Sequence, residues 1–116
     1  MHTIKTATRV AHARLQRARQ DAGITDLQAT VLSELIDEAI KDLERGAEAN
    51  GMATLGTMEM VDIVRKAKGT GDGELSLQDR MLVSAIATAV ATEFRAAGYA
   101  VDGATIVWPK VTVTLV

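Results

Sequence analysis

Two histidines, His2 and His12, are the only imidazole side chains available for acid–base or metal chemistry. A catalytic histidine needs a reacting partner and a group that orients its ring, and the residues spaced around these two supply neither. The serines and threonines lack the glycine-flanked turn that exposes a hydrolase nucleophile. The chain contains no cysteine, which excludes a thiolate nucleophile, a thiolate metal site and a disulfide. The sequence therefore predicts no catalytic residue.

A glycine-rich segment, Gly69–Gly73, is the next candidate because such loops can bind phosphate or calcium. It lacks the phosphate-loop and dinucleotide-binding patterns, and it follows a predicted helix rather than a strand. In the frame of a calcium-binding EF-hand loop, Lys68 and Thr70 take the first and third ligand positions, where carboxylates are needed. Asp79 replaces the bidentate glutamate at the twelfth position. We expect a flexible interhelical loop, with no nucleotide, calcium or other cofactor.

Six of the carboxylates on the second predicted helix are candidate metal ligands. Metal-binding carboxylates of a helical bundle face its interior and usually accompany a Glu-x-x-His pair. No histidine lies near these acids in the sequence, and they fall largely off the apolar stripe of their helix. The pattern favours a solvated acidic face over a metal site. The six acids are Glu34, Asp37, Glu38, Asp42, Glu44 and Glu48.

The N-terminal segment is the strongest functional indication, because its charge is one-sided. Residues 1–20 carry five lysines and arginines and no acid, whereas residues 21–62 carry ten acids and two bases, in a chain of net charge −2. Basic side chains along one helix can contact nucleic-acid phosphates. The candidate contacts are Lys5, Arg9, Arg14, Arg17 and Arg19.

A competing interpretation pairs these charges within the fold. The connection Gly23–Thr25 is short, which favours an antiparallel hairpin of the first two helices. The acidic second helix would then neutralise the basic first helix. The scarcity of aromatic residues and the acidic total also weigh against a nucleic-acid interface. The sequence leaves both interpretations open.

Apolar residues recur at helical spacing up to Gly98, where the last helix is expected to end. Thr25-x-x-Gln28 has the form of a capping box, and Thr57 and Ser76 are the predicted N-caps of the third and fourth helices. The fourth helix is apolar nearly all round, as expected of the central helix of a bundle. The predicted helices cover about residues 3–22, 26–49, 57–67 and 76–97, and residues 51–56 are expected to form a loop.

Beyond Gly98 the pattern changes to that of β-structure. Asp102-Gly103 is a strong hairpin signal, and Pro109 fits a turn because proline cannot donate to a sheet ladder. The predicted strands cover about residues 99–101, 104–108 and 110–116. So small a sheet leaves unpaired edges, and the last strand carries little charge to protect one. It is expected either to pair with a second chain or to fold back on the fourth helix. The candidate oligomer or partner interface comprises Leu35, Trp108, Val111, Val113 and Leu115.

Size and composition fit one domain over residues 1–116, α+β in class but mainly α: a four-helix body with a small C-terminal antiparallel β-meander. Aromatic residues make up 3% of the chain, so the aliphatic core gains less buried area per residue, and self-association would add burial. The absence of cysteine and of an apolar leader is typical of a cytoplasmic protein. The most apolar stretch, Met81–Val90, is too short to span a bilayer, so no membrane partner is expected.

The leading functional hypothesis is a small non-enzymatic interaction protein that self-associates, most simply as a homodimer, and occupies a surface on a macromolecular partner. Small one-domain chains without cysteine are common among accessory proteins of phages and mobile elements, including inhibitors and virion components. The alternative is a nucleic-acid-associated regulator that binds through the basic first helix. A small enzyme of unknown type is the third hypothesis.

Overall fold

The computed structural model describes residues 4–71, 73–103 and 109–116, with side chains from Thr8 onward. Within these residues the fold is α+β and mainly α, with four helices and a small antiparallel sheet, which confirms the predicted class. The elements in chain order are α1 (Ile4–Asp21), α2 (Asp26–Asn50), β1 (Met52–Leu55), α3 (Thr57–Lys68), α4 (Leu77–Ala96), β2 (Ala100–Asp102) and β3 (Val111–Thr114).

The start of α2 confirms the predicted capping box. The Thr25 hydroxyl accepts a hydrogen bond from the Gln28 backbone N–H at 3.2 Å. The Gln28 side chain in turn accepts one from the Thr25 N–H at 3.0 Å. Each of these bonds provides an acceptor for a backbone N–H group that has no partner within the helix, which fixes where α2 begins.

The end of α4 also lies where the sequence predicts. Gly98 takes a φ of +94°, a conformation that glycine adopts without strain. The Tyr99 N–H then donates to the Phe94 carbonyl at 3.0 Å. The two aromatic rings meet edge to face at 5.1 Å, which supplies the apolar contact that accompanies this kind of helix end.

Helix α4 is the central element of the core, as predicted. It packs along α1 and also contacts α3, β2 and β3. Leu82, Ile86 and Val90 have no exposed surface. The nearly continuous apolar surface of α4 is therefore explained by its neighbours, which cover most of its faces.

The predicted hairpin of α1 and α2 is wrong, because α1 packs mainly against α4. The inward face of α1 is narrow and rich in alanine, with Ala11 and Ala18 buried. Such small side chains fit closely against another helix but bury little area. The wide apolar stripe of α2 is instead covered by β1 and α3.

The prediction of a loop over residues 51–56 is also wrong, since this segment contains β1. The strand is four residues long and only Leu55 is buried, so it carries no clear alternation that sequence analysis could detect. Gly46 of α2 makes room for it. A Cβ atom at position 46 would lie 3.0 Å from the Ala53 Cβ atom, so glycine lets the strand lie close against the helix.

β3 is the middle strand of the sheet, paired antiparallel with β1 and β2. Val111 and Val113 are buried in the core, while Thr112 lies on the outer face and hydrogen-bonds Thr54 across the strands at 3.0 Å. The alternation along the last strand is therefore confirmed. Of the two alternatives for this strand, the structure shows the one in which it folds back on α4, because β3 contacts α4 and lies in the middle of the sheet. Among the described strands, β1 and β2 lie at the edges of the sheet. The predicted strand at 104–108 lies outside the described residues.

The predicted N-cap of α3, Thr57, is the first residue of the helix instead. Gly56 takes the cap position and makes no side-chain hydrogen bond there. The Thr57 hydroxyl donates to the Pro109 carbonyl, which ties the start of α3 to the segment before β3. Within the described residues, no helix is both long and apolar enough to cross a membrane.

Candidate functional site

A groove of about 820 Å³ lies between α3 and α4, and we call it the α3–α4 groove. Its buried lining includes Val61, Val83 and Pro109. Val61 and Val83 come from the two helices, and Pro109 is held against α3 by its hydrogen bond to Thr57. The concavity therefore has a fixed apolar lining supplied by three separate parts of the chain.

Three large apolar side chains, which we call the lip residues, line the same groove but remain in solvent. Met58 is 62% exposed, Leu77 66% and Met81 55%. Single exposed apolar residues are ordinary, but several around one concavity are typical of a binding surface. Methionine side chains are flexible and polarisable, so they adapt to the shape of a partner.

Among the described residues, the charged side chains that line the groove are those of two arginines and one glutamate. Arg65 donates from Nη2 to the Gly73 carbonyl at 2.7 Å, which joins α3 to the connection before α4. Its Nε atom is buried and has no hydrogen-bond partner. Arg80 is exposed on α4, and Glu74 lies on the connection. Because these two arginines outnumber the one glutamate, the described border of the groove is net positive. No described acid forms an ion pair with either arginine.

A largely buried ion pair fixes the relative position of α3 and α4. Lys68 Nζ lies 2.8 Å from Asp79 Oδ1 and also donates to the Ala22 carbonyl at 3.1 Å. The Gln28 side-chain amide donates to the Lys68 carbonyl at 3.4 Å. Ends of all four helices therefore meet at Lys68, a junction that sequence analysis did not predict.

The same ion pair involves the two residues at the ends of the calcium-loop frame considered in the sequence analysis. Lys68 and Asp79, its first and twelfth positions, bind each other across the junction. In the part of the chain that the structure describes, no three histidine, aspartate or glutamate side chains are grouped as metal ligands.

The candidate nucleic-acid contacts lie on α1. Arg9, Arg14 and Arg17 are exposed and Arg19 is half-buried, while the side chain of Lys5 lies outside the described residues. None of the four arginines forms an ion pair with a described acid. The predicted neutralisation of α1 by the acidic α2 is therefore absent from the described ion pairs.

Two further features lie at the surface. His12 Nε2 of α1 lies 2.8 Å from Glu93 Oε1 of α4, a long-range pair that sequence spacing could not reveal. The six acids of α2 that were considered as metal ligands are exposed, which confirms the predicted solvated face.

The structure does not assemble the described residues of the predicted interface into one surface. Val111 and Val113 are 1% and 0% exposed, so a partner could reach them only if the fold opened. Leu35 is half-buried and lines a second concavity of about 360 Å³ with an acidic border. Leu115 lies beyond β3 and is 48% exposed, and Trp108 is outside the described residues.

Sequence reasoning missed the lip residues, although they left a signal. Met58, Leu77 and Met81 are apolar residues on helix faces that point away from the core. Residues of this kind fall off the inward stripe of an amphipathic helix.

Comparison with known proteins adds no further information about the function. No protein family, characterised protein or solved structure matches this chain.

Proposed function

We propose that this protein is a non-enzymatic protein-binding module that receives an amphipathic helix in the α3–α4 groove. The observation that carries the proposal is the set of three exposed lip residues around an apolar concavity with a buried lining. Binding of a helix in a groove uses such a surface, because the apolar stripe of the helix replaces water along the concavity.

The charge of the border specifies the kind of helix. Arg65 and Arg80 outnumber Glu74 among the charged residues that line the groove. A helix with acidic residues beside its apolar stripe would meet opposite charges there, whereas a basic helix would be repelled. The groove therefore favours a partner helix with acidic flanks.

A matched pair of methionine variants tests the proposal. Met81 lines the groove and Met52 lies on β1, outside the groove lining, and their exposures are nearly equal at 55% and 56%. The partner is first isolated from nuclease-treated lysate and purified. Met81→Glu is expected to weaken its binding by about tenfold or more, whereas Met52→Glu is expected to bind it like the wild type. Equal binding by all three proteins, or loss of the partner on nuclease treatment, would contradict the proposal.

A second candidate function is nucleic-acid binding through α1. The unpaired state of Arg9, Arg14, Arg17 and Arg19 among the described residues favours it. Fluorescence anisotropy with labelled duplex DNA and single-stranded RNA tests it at low salt. Changing Arg9, Arg14 and Arg17 to glutamine is expected to reduce the slope of affinity against salt by about 0.9 for each duplex phosphate that is no longer neutralised. If the wild type binds neither probe, this candidate is discarded.

A further inference from the structure

We infer that a second copy of this chain supplies the helix, with the first half of α2 seated in the α3–α4 groove of its partner. The inference rests on the proposed function of that groove and names its occupant. It is carried by an exposed apolar and acidic surface on α2 that matches the groove in both respects.

The solvent side of α2 carries an apolar stripe of its own. Leu27 is 77% exposed and Val31 is 36% exposed, and the two lie one helical turn apart. Leu32 and Ile36 of the same helix are buried on its opposite side. The exposed pair is therefore additional to the stripe that holds α2 in its own core.

Acidic residues flank this stripe. α2 contains seven acids and two bases, and Asp26 and Glu34 are exposed beside Leu27 and Val31. The ion pair described within α2 joins Asp42 to Arg45, further along the helix. This part of α2 therefore offers the apolar stripe and the acidic flank that the groove requires.

The spacing of these residues allows apolar and charged contacts at once. Val31 and Glu34 are three residues apart, as are Leu77 and Arg80 on the border of the groove. If α2 of one copy runs in the same direction as α4 of the other, seating Val31 against Leu77 brings Glu34 towards Arg80.

The two surfaces lie at the same end of the molecule, which permits a symmetric dimer. Gln28, next to Leu27, reaches the Lys68 carbonyl, and Lys68 pairs with Asp79, two residues beyond Leu77. A two-fold axis near this end lets each copy provide both a helix and a groove, so the assembly closes at two chains. Such a dimer would cover Leu27 and Val31 together with the three lip residues.

Charge exchange tests the inference with the intact chain. Sedimentation equilibrium is expected to show a dimer for the wild type, and Glu34→Arg or Arg80→Glu is expected to raise its dissociation constant about fivefold to tenfold, because each change acts at both contacts. The double variant Glu34→Arg/Arg80→Glu is expected to return to within about twofold of the wild type. Arg95→Glu, on the same helix but outside the groove lining, serves as the control and leaves the constant unchanged.

Leu27→Glu tests the apolar contact. It is expected to raise the dissociation constant of the dimer about a hundredfold in a protein whose circular dichroism shows an intact fold. A wild type that remains monomeric at high concentration, or a double variant weaker than both single variants, would overturn the inference. If the protein is a monomer and a purified partner protein binds it with an affinity that Met81→Glu weakens and Met52→Glu does not, the proposed function stands without this inference. If Leu27→Glu and Met81→Glu leave the dissociation constant of the dimer unchanged, and no partner protein binds in a way that depends on Met81, both the inference and the proposed function are contradicted.

Discussion

Lys68 connects three other helix ends through one side chain and one carbonyl. Its ammonium group pairs with Asp79 and hydrogen-bonds the Ala22 carbonyl, and the two charged side chains are 21% and 12% exposed. A charge that is largely removed from water must be paired, because an unpaired one loses its hydration without compensation. The pair therefore fixes the ends of α3 and α4 that border the groove.

Removing either partner of this pair is expected to destabilise the fold. Lys68→Met or Asp79→Asn should lower the free energy of unfolding by about 2 kcal/mol, less than for a fully buried pair because water still reaches both groups. Lys66→Met, on the exposed side of the same helix, should change it by under about 0.5 kcal/mol. Urea denaturation measures all three, and equal stability of the Lys68 and Lys66 variants would show that the junction adds nothing.

Tyr99 offers a pH-dependent observable, because it is the only tyrosine in the chain. Burial raises the pKa of its phenol above the usual 10.0, and the carboxylates of Glu44 and Glu48 raise it further. The unfolded chain therefore loses this proton first as the pH rises. Its contribution to stability is complete below pH about 10 and disappears as the pH passes the folded-state value.

Absorbance titration of tyrosinate in the folded protein is expected to give a midpoint above 10.0. Glu44→Gln should lower that midpoint, whereas Glu38→Gln, at an acid on the same helix that does not act on Tyr99, should leave it in place. A wild-type midpoint at or below the usual value would contradict the described surroundings of the phenol.

At the scale of elements, β3 has a different role from the one its sequence suggests. Its alternating valines and threonines predict one buried face correctly. They do not reveal that β1, from between α2 and α3, occupies the edge beside it. Pairing between strands so distant in the chain depends on tertiary packing rather than on local pattern. The valines of β3 therefore belong to the core and are not available to a partner.

Val113→Ala is expected to lower the free energy of unfolding by about 2 kcal/mol, because it leaves a space in a fully buried position. Thr114→Ala, at the exposed neighbouring position, should cost under about 1 kcal/mol. Thermal or chemical denaturation compares the two. A Val113→Ala protein as stable as the wild type but altered in oligomeric state would instead indicate that this strand forms an interface.

The helices show what sequence could predict and what it could not. The Thr25 capping box and the glycine at 98 mark helix ends locally, so those boundaries follow from a few neighbouring residues. The packing partner of α1 cannot be predicted in this way, since a narrow alanine stripe fits several helices equally well. In the fold α1 packs on α4, while β1 and α3 cover α2.

At the scale of the whole molecule, the candidate site is a product of the tertiary fold. Met58, Leu77 and Met81 come from two helices, and Pro109 reaches them from the far end of the chain. Each of the three lip residues is detectable in the sequence as an apolar side chain on an outward face. That these residues come together at one groove is not detectable in the sequence, because their arrangement requires the Lys68 junction and the hydrogen bond from Thr57 to Pro109.

The methionines allow the central claim, that the α3–α4 groove receives a helix from a second copy, to be measured directly. Met58 and Met81 lie at the groove, Met60 is fully buried and Met52 is exposed on β1. In protein labelled with ¹³C at the methionine methyl groups, raising the concentration is expected to shift the signals of Met58 and Met81 and to leave those of Met52 and Met60 in place. Stationary Met58 and Met81 signals across the whole concentration range would contradict the account.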